Sequence, residues 1–303
     1  MGVIAGLAAA LAWTLASSLW RSLSTSLNAL QLNGLKNAIA CLLLLPVLLT
    51  LDWGSAPQIW GLLLLSGVVG IAAGDSFYLA ALRRLGTRRT LTVEALSPLV
   101  AAISGMLWMG EAMQPRTWLA AGLVSLSVLI VAHQHPPEHT TPDARGINAQ
   151  MLGISLALLA VSCGVAGAAL SRSVLSDAEV QPLQSAAVRL LGGLIALVPW
   201  LGLSWHGLNW SGDWTRMIGS RRPKPQQRRA WRVVIATLLG TNLGILLQQI
   251  VLQQLPLAMA VTLLSSAPVM ALLVAHHEGD HPHGAGVVAS LMAVSGVAIA
   301  VLN

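Results

Sequence analysis

Ten stretches of this chain are apolar and long enough, or nearly so, to cross a bilayer, and no other feature limits its fold as much. In hydrocarbon every backbone N–H and C=O must find its partner within the protein, which leaves helices or closed barrels. About 20 mainly apolar residues in a row give the helical solution. The stretches cover residues 3–20, 28–50, 58–82, 90–110, 115–133, 151–172, 181–203, 231–253, 257–276 and 284–302. Only 9% of the 303 residues are charged and 55% are hydrophobic, whereas a soluble domain carries roughly 25% charged residues. The expected fold class is all-α integral membrane with ten transmembrane helices. The first stretch has no basic residue ahead of its apolar run, so it reads as a retained helix and not as a cleaved signal. Cys41 and Cys163 fall in spans of different halves and suggest packing residues, not a disulfide.

The placement of charge sets an expected orientation. With ten spans, the odd-numbered connections hold Arg21, Arg83, Arg84, Arg88, Arg89, Arg145 and the run Arg216, Arg221, Arg222, Lys224, Arg228, Arg229 and Arg232. The even-numbered connections hold only Arg116 and Arg172. Lys and Arg are retained on the cytoplasmic side of short loops, so the basic loops are expected in the cytoplasm and both termini outside, in a cell inner (plasma) membrane. The cluster Arg83–Arg89 then reads as an anchor in a cytoplasmic turn that meets anionic headgroups. The loop 204–230 combines Trp205, Trp210 and Trp214 with basic residues. Basic residues among aromatics can bind nucleic acid; the simpler reading is an interfacial loop with indoles at headgroup depth, and no nucleic-acid partner is expected.

Self-comparison shows an internal repeat. Arg21-Ser22 matches Arg172-Ser173 at an offset of 151, and Lys36 and Pro46 match Arg189 and Pro199 at 153. Gly74 and Pro98 match Gly244 and Pro268 at 170, and Glu111 and Pro115 match Glu278 and Pro282 at 167. Residues 1–134 and 151–303 are read as two five-helix units joined by a linker at 135–150. Five is odd, so the second unit enters the membrane from the opposite side and the repeats are inverted. Two inverted halves can exchange conformations around a site near the midplane, which is how secondary transporters alternate access.

The stretch "GDSFYLAALRRLGTRRTLTVEALSPLVAAISGMLWMGEAMQP" and its partner "GILLQQIVLQQLPLAMAVTLLSSAPVMALLVAHHEGDHP" resemble the EamA-type transporters of the drug/metabolite transporter superfamily. Ser97-Pro98, Gly110-Glu111, Ala267-Pro268 and Glu278 stand where that family has a Ser/Ala-Pro followed by a Gly-Glu turn, although His277 replaces the usual glycine. The resemblance implies ten helices, a central solute cavity, and export of metabolites such as amino acids or of toxic compounds. No cofactor is implied; the expected partners are a small-molecule solute and the bilayer, with the drive either a proton exchange or the solute's own gradient.

Charged groups at bilayer depth cost a few kcal/mol and are candidates for function. Lys36 and Arg189 hold equivalent places in the two repeats. Either they pair within the bundle or they draw an anionic substrate group into the cavity. Asp75 and Glu94 face Ile245 and Leu264 at the matching positions of the second copy, so they break the repeat. Glu94, four residues before Pro98 and three before Ser97, is expected on one face of the fourth helix, where a carboxylate can bind and release a proton as access alternates. The alternatives are an inert pair with Lys36 or a position that reaches water. Asp75, beside Ser76 and near Tyr78, either binds a substrate amine or caps and pairs inside the bundle. Trp13, Thr14 and Ser17 on the first helix, with Asn242, Gln248, Gln249, Ser265 and Ser266 in the second copy, are candidate polar lining of the cavity; Gln248 matches Tyr78 at the offset of 170.

The histidines support a rival reading. "HHEGDHPHG" places His276, His277, His281 and His283 beside Glu278 and Asp280, and His133, His135 and His139 lie near the linker. Imidazole and carboxylate at this density suit a divalent metal, but the spacing is not that of a structural zinc site, and a solvated turn is the simpler account. A divalent-metal carrier and a non-transporting membrane partner protein are thus the alternatives to a metabolite or drug exporter. Phosphate-binding-loop, G-x-S-x-G and H-E-x-x-H patterns are absent from the sequence, so no enzymatic activity is expected.

Overall fold

A computed structural model describes residues 1–21, 29–112, 114–134, 147–177, 179–205, 226–266 and 284–301, and these residues contain helix and short connections with no strand. The chain begins with α1 (Gly2–Arg21), α2 (Ala29–Leu43) and its short continuation α3 (Leu45–Leu49). A single bent helical rod follows: α4 (Pro57–Gly67), a π-helical segment π1 (Val68–Gly74) and α5 (Asp75–Glu94). Next come α6 (Ser97–Met109), α7 (Pro115–Gln134), α8 (Ile147–Asp177) and α9 (Pro182–Trp205). A second rod joins α10 (Gln226–Thr237), π2 (Leu238–Leu243) and α11 (Gly244–Gln254), and α12 (Leu257–Leu264) and α13 (Gly284–Val301) complete the described chain.

Prolines and one glycine punctuate these helices. Proline stands at the first turn of α3, α4 and α6, where its missing N–H is not needed. Gly110, at φ 64°, ends α6 in the left-handed conformation and bonds back to Gly105 O, a geometry that a side chain would strain. Leu255 and Pro256 adopt extended backbone between α11 and α12. The offset of 170 places Gly86 against Pro256, and here α5 keeps helical backbone, yet Val93 packs with Ala81 and Leu85 and Glu94 lies within electrostatic reach of Asp75. A straight helix would part Asp75 and Glu94 by about 28 Å, so the chain bends back within α5.

The bend keeps helical backbone, so one expectation is corrected. Arg83 to Arg89 have helical backbone where the chain reverses, and a further break falls at Ala95–Leu96. Glu94 consequently closes α5 while Ser97 opens α6, so the two do not share a face of one helix.

Among the described residues, four helical stretches are long and apolar enough to cross a membrane: Pro57–Leu82, Met151–Asp177, Pro182–Pro199 and Trp231–Gln254. Gly2–Ala16, Ser97–Met109 and Pro115–Ile130 are shorter apolar helices. The two π segments begin 170 residues apart, at the offset that relates the two rods in sequence.

Close packing rests on small residues. A Cβ at Gly67 would overlap the carbonyl of Arg189, and one at Gly192 would overlap that of Leu64, so α4 and α9 touch backbone to backbone. Without a hydrophobic force between helices in lipid, this van der Waals contact is what joins them. One buried apolar cluster takes Ala5 from α1, Ala101 from α6, Ala168 and Leu175 from α8, Leu252 from α11 and Leu257 from α12. The start of α1 lies at the same end of the bundle, where a Cβ at Gly2 would sit 3.0 Å from Leu255.

Candidate functional site

Two cations of the sequence reading reach the helix that follows a π segment. Lys36, in the second turn of α2, places Nζ 2.6 Å from Asp75 Oδ2 at the first residue of α5. Arg189 of α9 donates from Nη1 to Gln248 Oε1 of α11 at 3.2 Å. Lys36 is therefore paired with Asp75 and not with Glu94. The side chains of Lys36 and Asp75 are 20% and 39% exposed, while Arg189 is 2% exposed. A charge pair left open part-way along two apolar helices marks a polar recess, since an ion turned to hydrocarbon costs a few kcal/mol.

The recess has a depth. α1 carries the chain about 30 Å from the end where Gly2 meets Leu255 before α2 begins, and Lys36 lies about 10 Å into α2 at 1.5 Å per residue. The pair therefore stands nearer the opposite end of the bundle. Asp75 is within electrostatic reach of Arg189, of Glu94 and of Tyr78. Glu94, Tyr78 and Ser97 are half-buried. Arg189, Asp75, Lys36, Glu94 and Tyr78 are thus brought into one charged neighbourhood.

Asn33 and Asn37, which the sequence reading passed over, hold this arrangement in place. Both are fully buried. Asn33 Nδ2 donates to Ile71 O at 2.9 Å and to Ser76 Oγ at 3.1 Å, and Asn37 Nδ2 donates to Asn33 O and Oδ1, each at 2.9 Å. The exit from a π segment leaves backbone carbonyls out of the regular ladder, and Asn33 supplies the missing donor there. Two amides one turn apart, flanking Lys36 in an apolar helix, were the sequence signal for them.

Other expected lining residues serve the bundle. Trp13 Nε1 donates to Gly240 O of π2 at 2.9 Å, and Thr14 Oγ1 donates to Ala10 O of its own helix at 2.8 Å. Asn242 donates to Ala40 O of α2 at 3.0 Å, and Ser266 donates to Leu263 O. Gln249, fully buried, accepts from Ser185 at 2.8 Å and from Ser171. The Ser17 side chain lies outside the described residues, and Ser265 stands at the C-terminal end of α12. His276, His277, His281 and His283 lie outside the described residues, as do His135, His139 and the loop 206–225. Among the described residues, no group of three or more His, Cys, Asp or Glu is placed to hold a metal.

A second polar knot sits at the far end. Glu111 accepts from Leu257 N at 2.9 Å and 3.2 Å through its two oxygens, and from Arg172 Nε at 3.3 Å. Arg172 Nη1 also donates to Leu252 O at 2.6 Å and Gln253 O at 3.1 Å. One carboxylate thus caps the start of α12 and one guanidinium caps the end of α11, each satisfying groups that a helix end leaves open.

The EamA-like transporter family model matches residues 1–132 and again residues 151–302. The chain belongs to the EamA-like transporter family. EamA-like proteins are membrane transporters, and the two matched segments cover both π-containing rods. The chain is 28% identical over 108 residues to "Uncharacterized transporter YwfM" of Bacillus subtilis (strain 168); the alignment takes in 35% of this chain and 36% of that relative. A protein of known crystal structure superposes on 99% of this chain and 96% of its own with a TM-score of 0.74 at 18% identity. At that identity the likeness speaks to the fold alone.

Proposed function

We propose that this EamA-like protein is a secondary-active transporter that exports small metabolites of amino-acid-like chemistry, or drugs, across the inner membrane. Its ten helices cross the bilayer as two inverted five-helix repeats, and the solute binds in the recess around Lys36 and Asp75. The observation that carries this reading is the half-open Lys36–Asp75 pair, with Asp75 on a stretch long enough to span a membrane and within reach of Arg189 and Glu94. A charge pair retained at depth and open to water offers both signs to a solute. Its groups can exchange internal partners for external ones as access alternates.

Glu94 is the proposed coupling residue. It ends α5 at the hinge to α6, where a change of angle between the two helices alters what its carboxylate meets. The test is pH-driven flux in proteoliposomes of the purified protein, screened over amino acids, organic cations and divalent metals. An organic solute should move with the proton gradient. Glu94→Gln should remove that drive and leave solute counterflow intact. Flux of divalent metals alone would overturn the reading, and unchanged pH-driven flux in folded Glu94→Gln would remove Glu94 from it.

A further inference from the structure

The interior carries a positive charge that no described group of the protein fully meets. Arg189 is 2% exposed. A guanidinium has five N–H donors, yet among the described residues Arg189 makes one hydrogen bond, to the neutral amide of Gln248, and its Nε has no partner. The carboxylate within its electrostatic reach, Asp75, is already bonded to Lys36 at 2.6 Å. Lys36 and Asp75 bond each other, and Glu94 lies within reach of Asp75 but gives Arg189 no hydrogen bond, so no carboxylate among the described residues bonds the guanidinium. A buried cation without an opposite charge is costly unless something supplies one.

Beside the guanidinium, π1 and α8 press together backbone to backbone. Nη2 lies 3.3 Å from where a Cβ would stand on Gly70, at the middle of π1, and Gly167 of α8 approaches the same point at 3.3 Å. No side chain projects there from either helix.

We propose that Arg189 is an anion subsite that takes the carboxylate of a solute on the edge of the guanidinium that Gln248 leaves open. This rests on the transporter reading and gives its recess a polarity. Lys36 stays with Asp75, and the solute's negative group goes to Arg189, where the free Nε edge offers two parallel N–H donors to two carboxylate oxygens. The burial of Arg189 describes a state in which this subsite is covered, and access comes with the rearrangement of α9 against α11.

The test needs no knowledge of the natural solute. Thermal unfolding of the purified full-length protein is followed against sodium succinate, sodium glutamate and choline chloride at matched ionic strength. The carboxylates should raise the unfolding temperature and choline should not. Arg189→Gln should weaken the half-saturating concentration of the carboxylates by roughly tenfold or more, the scale of one lost charge-assisted pair. Arg84→Gln, which removes an exposed cation, should leave it unchanged. Gln248→Glu places a fixed carboxylate against the guanidinium, and should raise the unfolding temperature by itself while abolishing the response to succinate and glutamate.

Gln248→Glu decides the matter if Arg189→Gln does not fold. A full carboxylate response in folded Gln248→Glu, a response that survives Arg189→Gln, or no response to either carboxylate would each overturn the subsite. Stabilisation by choline, together with choline flux, would overturn the subsite while leaving the protein a transporter.

Discussion

Glu111 and Arg172 meet at 3.3 Å across the boundary between the two family-matching segments, and between them they tie four helices. Their side chains are 13% and 15% exposed, so neither charge is well solvated. Removing one leaves the other with a buried charge, and leaves open either Leu257 N–H or the carbonyls of Leu252 and Gln253. Arg172→Ala should therefore lower the unfolding free energy by roughly 2 to 4 kcal/mol, the range between a lost buried hydrogen bond and a broken buried pair. Glu111→Gln keeps an acceptor for Leu257 N–H and should lose less. Equal stability of Arg172→Ala and the natural protein in a thermal unfolding series would show that the knot contributes nothing.

The same end offers a lock. A Cβ on Gly105 would lie 3.6 Å from that of Leu257, and 2.8 Å from the movable carboxylate tip of Glu111. A Cβ separation of about 3.5–4.5 Å suits a disulfide. Gly105→Cys with Leu257→Cys, in a background where Cys41 and Cys163 are replaced by Ala, should form a bridge between α6 and α12. If alternating access opens this end, oxidation should stop flux and a reducing agent should restore it. Full flux in the quantitatively cross-linked protein would mean that α6 and α12 stay together throughout the cycle.

Some of this arrangement was legible in the sequence and some was not, for physical reasons. Apolar runs long enough to span a bilayer announce helices by themselves, but spans 28–50 and 90–110 run through Pro46 and Pro98, which stand at the first turns of α3 and α6. The run of arginines and threonines around Gly86 signals the reversal of the chain, which helical backbone carries because arginine is a good helix former and threonine only a weak breaker. Lys36 and Asp75 were both flagged as charges at depth, but their pairing joins positions 39 residues apart and depends on the packing of α2 on α5. Arg189 and Gln248 likewise meet through packing. The π segments carry no clear signature: "VVGIAAG" and "LLGTNL" read as ordinary membrane helix. Asn33 and Asn37 could have been found, as two amides at i and i+4 in a helix with little else polar.

The charge pair should show coupling in a double-mutant cycle. Lys36→Gln leaves a carboxylate facing the recess without its cation, and Asp75→Asn leaves the ammonium beside buried Arg189. Lys36→Gln with Asp75→Asn removes both charges and keeps groups of similar size. Because the pair is partly exposed, its interaction energy should be about 1 kcal/mol, between surface and buried values. The double variant should be more stable than the sum of the two single effects implies. Strict additivity in chemical or thermal unfolding would mean that the two charges do not support one another.

Glycine substitutions separate contact from conformation. At Gly67 and Gly192 an added methyl group meets backbone of the facing helix, which cannot turn aside as a side chain tip can. Gly67→Ala or Gly192→Ala must push α4 and α9 apart along their seam, and each should cost at least the roughly 1–3 kcal/mol of an overpacked core. Gly61 of α4 and Gly122 of α7 have nothing within 4 Å of an added Cβ, and both lie within helices. There alanine removes backbone freedom from the unfolded chain and should stabilise by about 0.5–1 kcal/mol. The contrast is the measurement: four single variants in one thermal unfolding series, two falling and two level or rising. A fall of equal size at all four would assign the effect to glycine itself, and the close approach of α4 and α9 would then have no part in stability.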